Sequence, residues 1–182
     1  HAVAVGLSGG ADSLALMAAL VAEGHEVLAL CVDHGLQDGS RAQAERAAEQ
    51  ARKLGARARV LDVEAGATGQ KSMEAAARGA RYRVRAAACA AEELEVAVAH
   101  TADDQAETLL LGALRGRVAG MSERSEVEGA RVVRPLLGVR RADTEGACAE
   151  LGLSAWQDPQ NEDTNFRRVA LRREVIPQLN HI

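Results

Sequence analysis

An apolar run at residues 3–7 empties into Ser8-Gly9-Gly10-Ala11-Asp12-Ser13, and a stretch with helical spacing begins directly behind it. A buried strand, a glycine turn and a helix in so few residues leave few folds open. In an α/β sheet such a turn sits at the carboxyl end of its strand, where ligands bind. The unpaired N–H groups of the helix's first turn and the hydroxyls of Ser8 and Ser13 then face one point. That arrangement suits an anion, a phosphate chain above all. The turn has neither the Lys of a Walker A loop nor the spacing G-x-G-x-x-G of a dinucleotide fold. An ordinary strand–helix turn is the plain alternative, and the grouping of Ser8, Asp12 and Ser13 around the glycines argues against it.

The same alternation continues along the chain. Residues 3–7, 27–32, 58–63, 94–99 and 132–133 read as strands, mostly short apolar runs of the kind buried on both faces of a parallel sheet. Residues 13–22, 42–54, 72–92, 104–114 and 141–151 read as alanine-rich helices, the last ending at Gly152 as a C′ glycine. Short connections and right-handed crossovers then predict a doubly wound α/β fold. It has a mainly parallel five-stranded sheet flanked by helices, with a C-terminal helical element. Residues 1–150 are expected to form the ligand-binding domain, and residues 151–182 a polar loop and Arg-rich helix completing its site. Residues 116–129 carry no regular pattern and read as a loop.

Composition narrows the function. With 47% apolar and 26% charged residues the chain has the profile of a soluble globular protein. No apolar run reaches the length of a membrane span, and no secretory signal is recognised, which points to the cytoplasm. The 3 cysteines, Cys31, Cys89 and Cys148, are too widely spaced for a zinc site and read as reduced core residues. A net charge of −4 argues weakly against nucleic-acid binding, yet Arg167, Arg168, Arg172 and Arg173 gather near one end. A basic end on an acidic body is compatible with RNA delivered to one edge of a site. Aromatic residues are only 2%, so binding by stacked aromatics has no support.

Further groups fall at the expected strand ends. Asp33 follows the second strand; it is either a nucleotide or Mg²⁺ ligand or a turn carboxylate. His34 is either a ligand contact or a turn residue, and Ser40 reads as a helix N-cap. The fourth strand ends in His100-Thr101-Ala102-Asp103-Asp104-Gln105-Ala106-Glu107-Thr108. Capping explains one of these acids but not all three of Asp103, Asp104 and Glu107 on little more than a turn. Their mutual repulsion asks for a cation between them, a metal ion or an ammonium group. Arg78 and Arg81, with Tyr82, stand on one helix where a guanidinium could meet phosphate or carboxylate, or simply be solvated. Arg134-Pro135-Leu136-Leu137 leads to Arg140 and Arg141, and the polar stretch Gln157-Asp158-Pro159-Gln160-Asn161 opens the last basic segment.

These motifs, in this order, resemble the catalytic domain of the bacterial tRNA(Ile)-lysidine synthetases, within the ATP pyrophosphatase or PP-loop superfamily. The resemblance spans Leu7 to Pro177. It implies an ATP-dependent carbon–nitrogen ligase that joins free L-lysine to C2 of the wobble cytidine of a tRNA(Ile) with a CAU anticodon. The base is adenylated first, and AMP and pyrophosphate are released. Ser8, Gly9, Gly10, Asp12 and Ser13 would bind the ATP phosphates, with Asp33 near ATP and Mg²⁺. Arg78 would contact ATP or the base. His100, Asp103 and Asp104 would carry catalysis, with Asp103, Asp104 and Glu107 holding the lysine amine. Asn161, Arg168 and Arg172 would face RNA or lysine. Val169 stands where the family's pattern has an Asn, the segment after Leu114 is shorter than the pattern, and no RNA-binding region is recognised after Pro177. A homodimer is left open. The alternatives are a tRNA 2-thiolation enzyme, which an exposed cysteine would favour, and a non-catalytic ATP-binding module.

Overall fold

Strand β1 (Ala2–Gly6) lies in the middle of a sheet of 6 strands and carries the glycine turn at its carboxyl end. The computed structural model describes residues 1–33, 35, 38–63, 73–90 and 92–181, and the side chains of all of these except 73–77. β2 (Glu26–Asp33) and β3 (Arg57–Asp62) extend the sheet on one side of β1; β4 (Val96–Ala97), β6 (Ala130–Val133) and β5 (Arg124–Val127) extend it on the other. All neighbours pair in parallel except β5 with β6. Strand order therefore reverses between β1 and β4. Loops leaving those two strands diverge there and open a crevice, the usual ligand position in such sheets.

Side chains alternate across β1 and β2 as strand geometry requires. Val3, Val5, Val27, Ala29 and Cys31 pack on one face against α1 (Ala11–Ala22) and α2 (Ser40–Lys53), with Cys148 of α5 (Arg141–Glu150). Ala4, Leu28 and Leu30 pack on the other face with Tyr82 and Cys89 of α3 (Met73–Ala90). Both faces are covered, which is why these strands read as unbroken apolar runs. α4 (Ala102–Ala113) follows β4. The α5 helix closes as expected at Gly152 (φ 65°), with Leu153 N–H donating to Cys148 O and Gly152 N–H to Ala149 O.

Among the described residues the sheet has six strands where five were expected. The extra one, β5, lies inside the stretch read as an irregular loop. Its sequence Arg-Ser-Glu-Val is polar and only half-buried, so no apolar signal marked it. Glu128 (φ 51°) and Gly129 (φ 81°) turn β5 back onto β6, a tight hairpin turn with both central residues left-handed. Helix limits otherwise differ from expectation by one or two residues, except that Ser72 lies outside the described residues. The C-terminal helical element is present: a 3₁₀ turn (Pro159–Glu162), then α6 (Arg167–Ala170), a π-helical turn (Leu171–Val175) and α7 (Ile176–Leu179). Pro177 cannot donate to the carbonyl four residues back, which accounts for the widened turn before it. Among the described residues no helix is long and apolar enough to cross a membrane.

Candidate active site

The glycine turn is held in shape by its own atoms. Ser8 N–H donates to Ser13 Oγ (3.1 Å), Gly10 N–H donates to Ser8 Oγ (3.2 Å), and Ser13 Oγ donates to Gly10 O (3.2 Å). Gly9 has φ +89°, and a Cβ there would lie 2.4 Å from Gln43 Nε2, so both backbone and space require glycine. Its carbonyl accepts from Trp156 N–H at 2.8 Å, tying the turn to the C-terminal segment. Gly10 caps α1 without any side-chain hydrogen bond, which leaves the first-turn N–H groups as donors for an anion.

That turn forms one wall of a cavity of about 730 Å³. Ser8, Gly10, Asp12 and Ser13 line it from the turn, His100 and Asp104 from the end of β4 and the start of α4. Arg78 lines it from α3, with Asn161, Arg168 and Arg172 from the C-terminal element. Segments far apart in sequence thus converge where the strand order reverses. Gly9, Asp33, Asp103 and Glu107 are not part of its lining.

The acidic trio has its cations, and they are arginines. Glu107 is 1% exposed; Arg172 donates to it through Nε (2.7 Å) and Nη2 (3.2 Å), while Arg141 and Arg168 approach at 3.5 and 3.7 Å. Asp104 accepts from Thr101 N–H (2.8 Å) in a capping box and from Arg141 Nη2 (3.0 Å). Asp103 accepts from Arg141 N–H (2.7 Å) and from Arg140 Nε and Nη2 (both 3.3 Å). Burial pushes the Asp103 carboxyl up, but the bonds from the Arg141 backbone and from Arg140 outweigh it and hold it below its ordinary value. Of the three acids expected to hold a ligand's amine, Glu107 and Asp103 are bonded to arginines and do not line the cavity. Only Asp104 of the three lines it.

Asp12 links the turn to this wall. Thr144 Oγ1 donates to its carboxylate, and Arg141 Nε lies 3.8 Å away. Burial raises the Asp12 carboxyl above its ordinary value, against the bond from Thr144 and the charge of Arg141. His100 Nδ1 meets Arg134 Nε at 3.2 Å. Burial pushes the imidazole down to about 4; Asp104 opposes this, and Arg134, Arg78 and Arg168 add to it. Arg78 is exposed at the rim, 5.9 Å over the Tyr82 ring.

Asp33 accepts from Ser40 Oγ and from Gly35 N–H (3.0 Å), the geometry of a turn carboxylate. Ser40, expected as the cap of α2, is its first residue, and Gly39 (φ 82°) occupies the cap. A smaller cavity of about 230 Å³ behind the turn includes Ser40 but not Asp33. His34 lies outside the described residues. Among those described, no three His, Cys, Asp or Glu side chains group as a metal site. Cys31, Cys89 and Cys148 are all buried, and burial pushes the Cys31 thiol up to about 12.

Arg141 and Thr144 were not singled out as site residues. Only their position at the start of a helix, just after the Arg-Pro-Leu-Leu motif, hinted at them. Arg85 was also missed: its Nε is buried without a hydrogen-bond partner among the described residues, and Gly6 leaves room for its guanidinium.

Residues 1–179 match the PP-loop domain family. The chain is 56% identical over 180 residues to a tRNA(Ile)-lysidine synthase of Corynebacterium glutamicum, covering 99% of this chain and 55% of that protein. It is 52% identical over 182 residues to a tRNA(Ile)-lysidine synthase of Mycobacterium bovis, covering 98% and 54%. The chain spans about half the length of these curated relatives. Among solved structures, the U34-tRNA thiolase NcsA of Methanococcus maripaludis superposes with a TM-score of 0.71 at 18% identity, covering 100% of this chain and 73% of that one. The NMN synthetase of Francisella tularensis gives 0.57 at 17% identity, over 83% and 61%. At such identities the two structures speak for the fold alone.

Proposed function

Since the chain belongs to the PP-loop domain family, we propose that it is the ATP-using catalytic part of a tRNA(Ile)-lysidine synthase. One observation carries the reading: the open N-terminus of α1 faces the same cavity as His100, Asp104 and the late arginines. A cavity of about 730 Å³ has room for a nucleotide and part of a second substrate together. Sequence similarity to two lysidine synthases supports the choice of substrates.

In this reading the C2 oxygen of the wobble cytidine attacks the α-phosphorus of ATP, and pyrophosphate leaves. The side-chain amine of lysine then attacks C2, AMP leaves with the oxygen, and the amine loses a proton. Ser8, Gly10, Ser13 and the first N–H groups of α1 bind the phosphates and stabilise the charge that develops on them. Asp104 orients the ammonium group of lysine; a carboxylate raises an amine's pKa, so its part is positioning before proton removal. Arg168 and Arg172 give the RNA or the lysine carboxylate a cationic wall. Residues 1–150 supply the ATP end, and residues 151–182 close the site over it.

Mg²⁺, when bound, neutralises polyphosphate charge. The donors fit an ion carried mainly by phosphate oxygens, since Mg²⁺ takes hard oxygen ligands and commonly one or two carboxylates. Asp12, which lines the cavity beside the turn, would be one such carboxylate; Asp33, the carboxylate expected from the sequence, does not line the cavity.

The test supplies full-length protein with ATP, Mg²⁺, tRNA bearing a CAU anticodon and radiolabelled lysine. Lysine should become attached to the RNA, with AMP released, and a chelator should abolish both. ATP binding without lysine-dependent AMP release would instead favour a non-catalytic module. The thiolation alternative has no exposed cysteine among the described residues to carry it.

A further inference from the structure

We propose that Arg134 fixes His100 as a neutral imidazole with its proton on Nε2, making His100 a hydrogen-bond donor to the substrate and Arg134 the residue that positions it. That this donor meets a substrate rests on the function proposed above; the tautomer does not.

A guanidinium has only donors and keeps its proton at any ordinary pH. Arg134 Nε stands 3.2 Å from His100 Nδ1, so Nδ1 has to offer its lone pair. The ring proton is then left to Nε2, because the bond at one ring nitrogen sets the state of the other. His100 lines the cavity and Arg134 does not. The Nδ1 edge therefore faces the protein interior and the opposite edge faces the cavity.

Arg134 is itself held. It is 6% exposed, and its Nη1 donates to Ser122 O and Ser125 Oγ, both at 2.8 Å. Its own N–H donates to Glu123 O at 2.8 Å. Ser125 belongs to β5, so the polar hairpin hidden from the sequence has a use: it aims this arginine. The charges facing His100 come from four elements. Asp104 on α4 is negative; Arg134 after β6, Arg78 on α3 and Arg168 on α6 are positive. A second ring proton would point at the Arg134 N–H and add to that positive excess. Burial opposes it as well.

The consequence separates two roles that a histidine beside acids leaves open. With Nδ1 engaged and Nε2 protonated, His100 has no lone pair with which to take a proton from the lysine amine. It has an N–H to give to an oxygen that gains charge as the transfer proceeds.

The test is nitrogen NMR on full-length protein labelled in histidine, with the His100 signals identified by their loss in His100→Gln. Between about pH 5.5 and 8, Nδ1 should stay in the unprotonated range and Nε2 in the protonated range, with no titration near the ordinary value. In Arg134→Met the tautomers should mix and protonation should move to higher pH. If that variant fails to fold, the wild-type spectrum still decides. Kinetically, His100→Ala should lose about a hundredfold in kcat, whereas His100→Gln, whose amide presents N–H near the place of Nε2, should retain most of it. Protonated Nδ1, titration near the ordinary value, or equal losses in the two variants would overturn the inference. An Nε2–H spectrum without lysine attachment to RNA would instead count against the proposed function and leave this inference standing.

Discussion

At one end of the cavity, Ser8, Gly10 and Ser13 keep the glycine turn in shape with neutral hydrogen bonds and leave α1 uncapped. In and behind the opposite wall, Asp103, Asp104 and Glu107 are each matched to arginines at the start of α5 or in the C-terminal element. The first end keeps its binding capacity in the backbone, where it costs little to hold open. The second has used most of its charge on itself. Substitutions should therefore separate the two: the wall should fail first in stability, and the turn first in catalysis.

The largest effect is expected at Glu107. Removing its charge strands Arg172, with Arg141 and Arg168 nearby, around a site that is 1% exposed. Breaking one partner of such a buried pair costs about 3–5 kcal/mol. Glu107→Gln should lose that much in urea unfolding, and a Glu107→Leu, Arg172→Met double variant should recover part of it. A loss below about 1 kcal/mol in the single variant would mean that the wall is not what holds the C-terminal element. At the opposite end, Gly9→Ala forces a left-handed φ on a side-chain-bearing residue and pushes its Cβ against Gln43. The strain is about 1–3 kcal/mol, but pyrophosphate release should fall by at least about tenfold, because the phosphate donors shift with the turn. Unchanged release would break the assignment of this turn to the phosphates.

The same contrast explains what could be read in the sequence. The turn was legible because its residues are contiguous: Ser8 to Ser13 close their own hydrogen bonds, and the helix they open is their neighbour. Its position beside His100 followed from alternation of strands and helices, since both loops leave the carboxyl ends of strands. The wall was half legible. Asp103, Asp104 and Glu107 announced that a cation was needed, but the cation lies 65 residues from Glu107 at Arg172 and 37 residues from Asp104 at Arg141. No local pattern encodes such pairings. β5 escaped because it is an edge strand whose Arg124 and Glu126 side chains stay in water, as edge strands keep charges exposed to avoid further pairing. Asp33 could be read two ways, and its bonds to Ser40 and Gly35 favour the turn.

A smaller effect is expected from pH, and it also belongs to the wall. His100 is held down to about 4 by burial first. Its folded value thus lies below its unfolded one, near 6.5. Between the two the unfolded chain binds a proton that the folded chain refuses, so stability should be lost as pH falls from about 6.5 to 4. The loss is on the order of 3 kcal/mol. Below that window His100 contributes no further change. Asp12 works in the opposite direction, since its raised carboxyl lets the folded chain take a proton before the unfolded chain does, which returns stability at acid pH. Unfolding measured across this range in wild type and in His100→Gln should show the slope flattened in the variant. An equal slope in both would assign the acid sensitivity to other groups.

The smallest effect should come from Arg173, the residue next to Arg172. Its Nη2 lies 2.8 Å from Glu162 Oε1, a distance as good as that between Arg172 and Glu107. The surroundings differ: the Arg173 and Glu162 side chains are 46% and 74% exposed, whereas Glu107 is 1% exposed. Water solvates both members of the outer pair when they separate, so little is gained by joining them and little is lost by parting them. Removing either partner leaves no charge stranded in the interior. Arg173→Gln should therefore change unfolding stability by no more than about 0.5 kcal/mol, while Arg172→Gln, one residue earlier on the same turn, should approach the cost of Glu107→Gln. Measured side by side, the two variants hold sequence position and shortest contact nearly constant, while burial and the number of bonds to the carboxylate differ. Similar losses in both would show that the contact distances, and not burial of the carboxylate, set the strength of the wall.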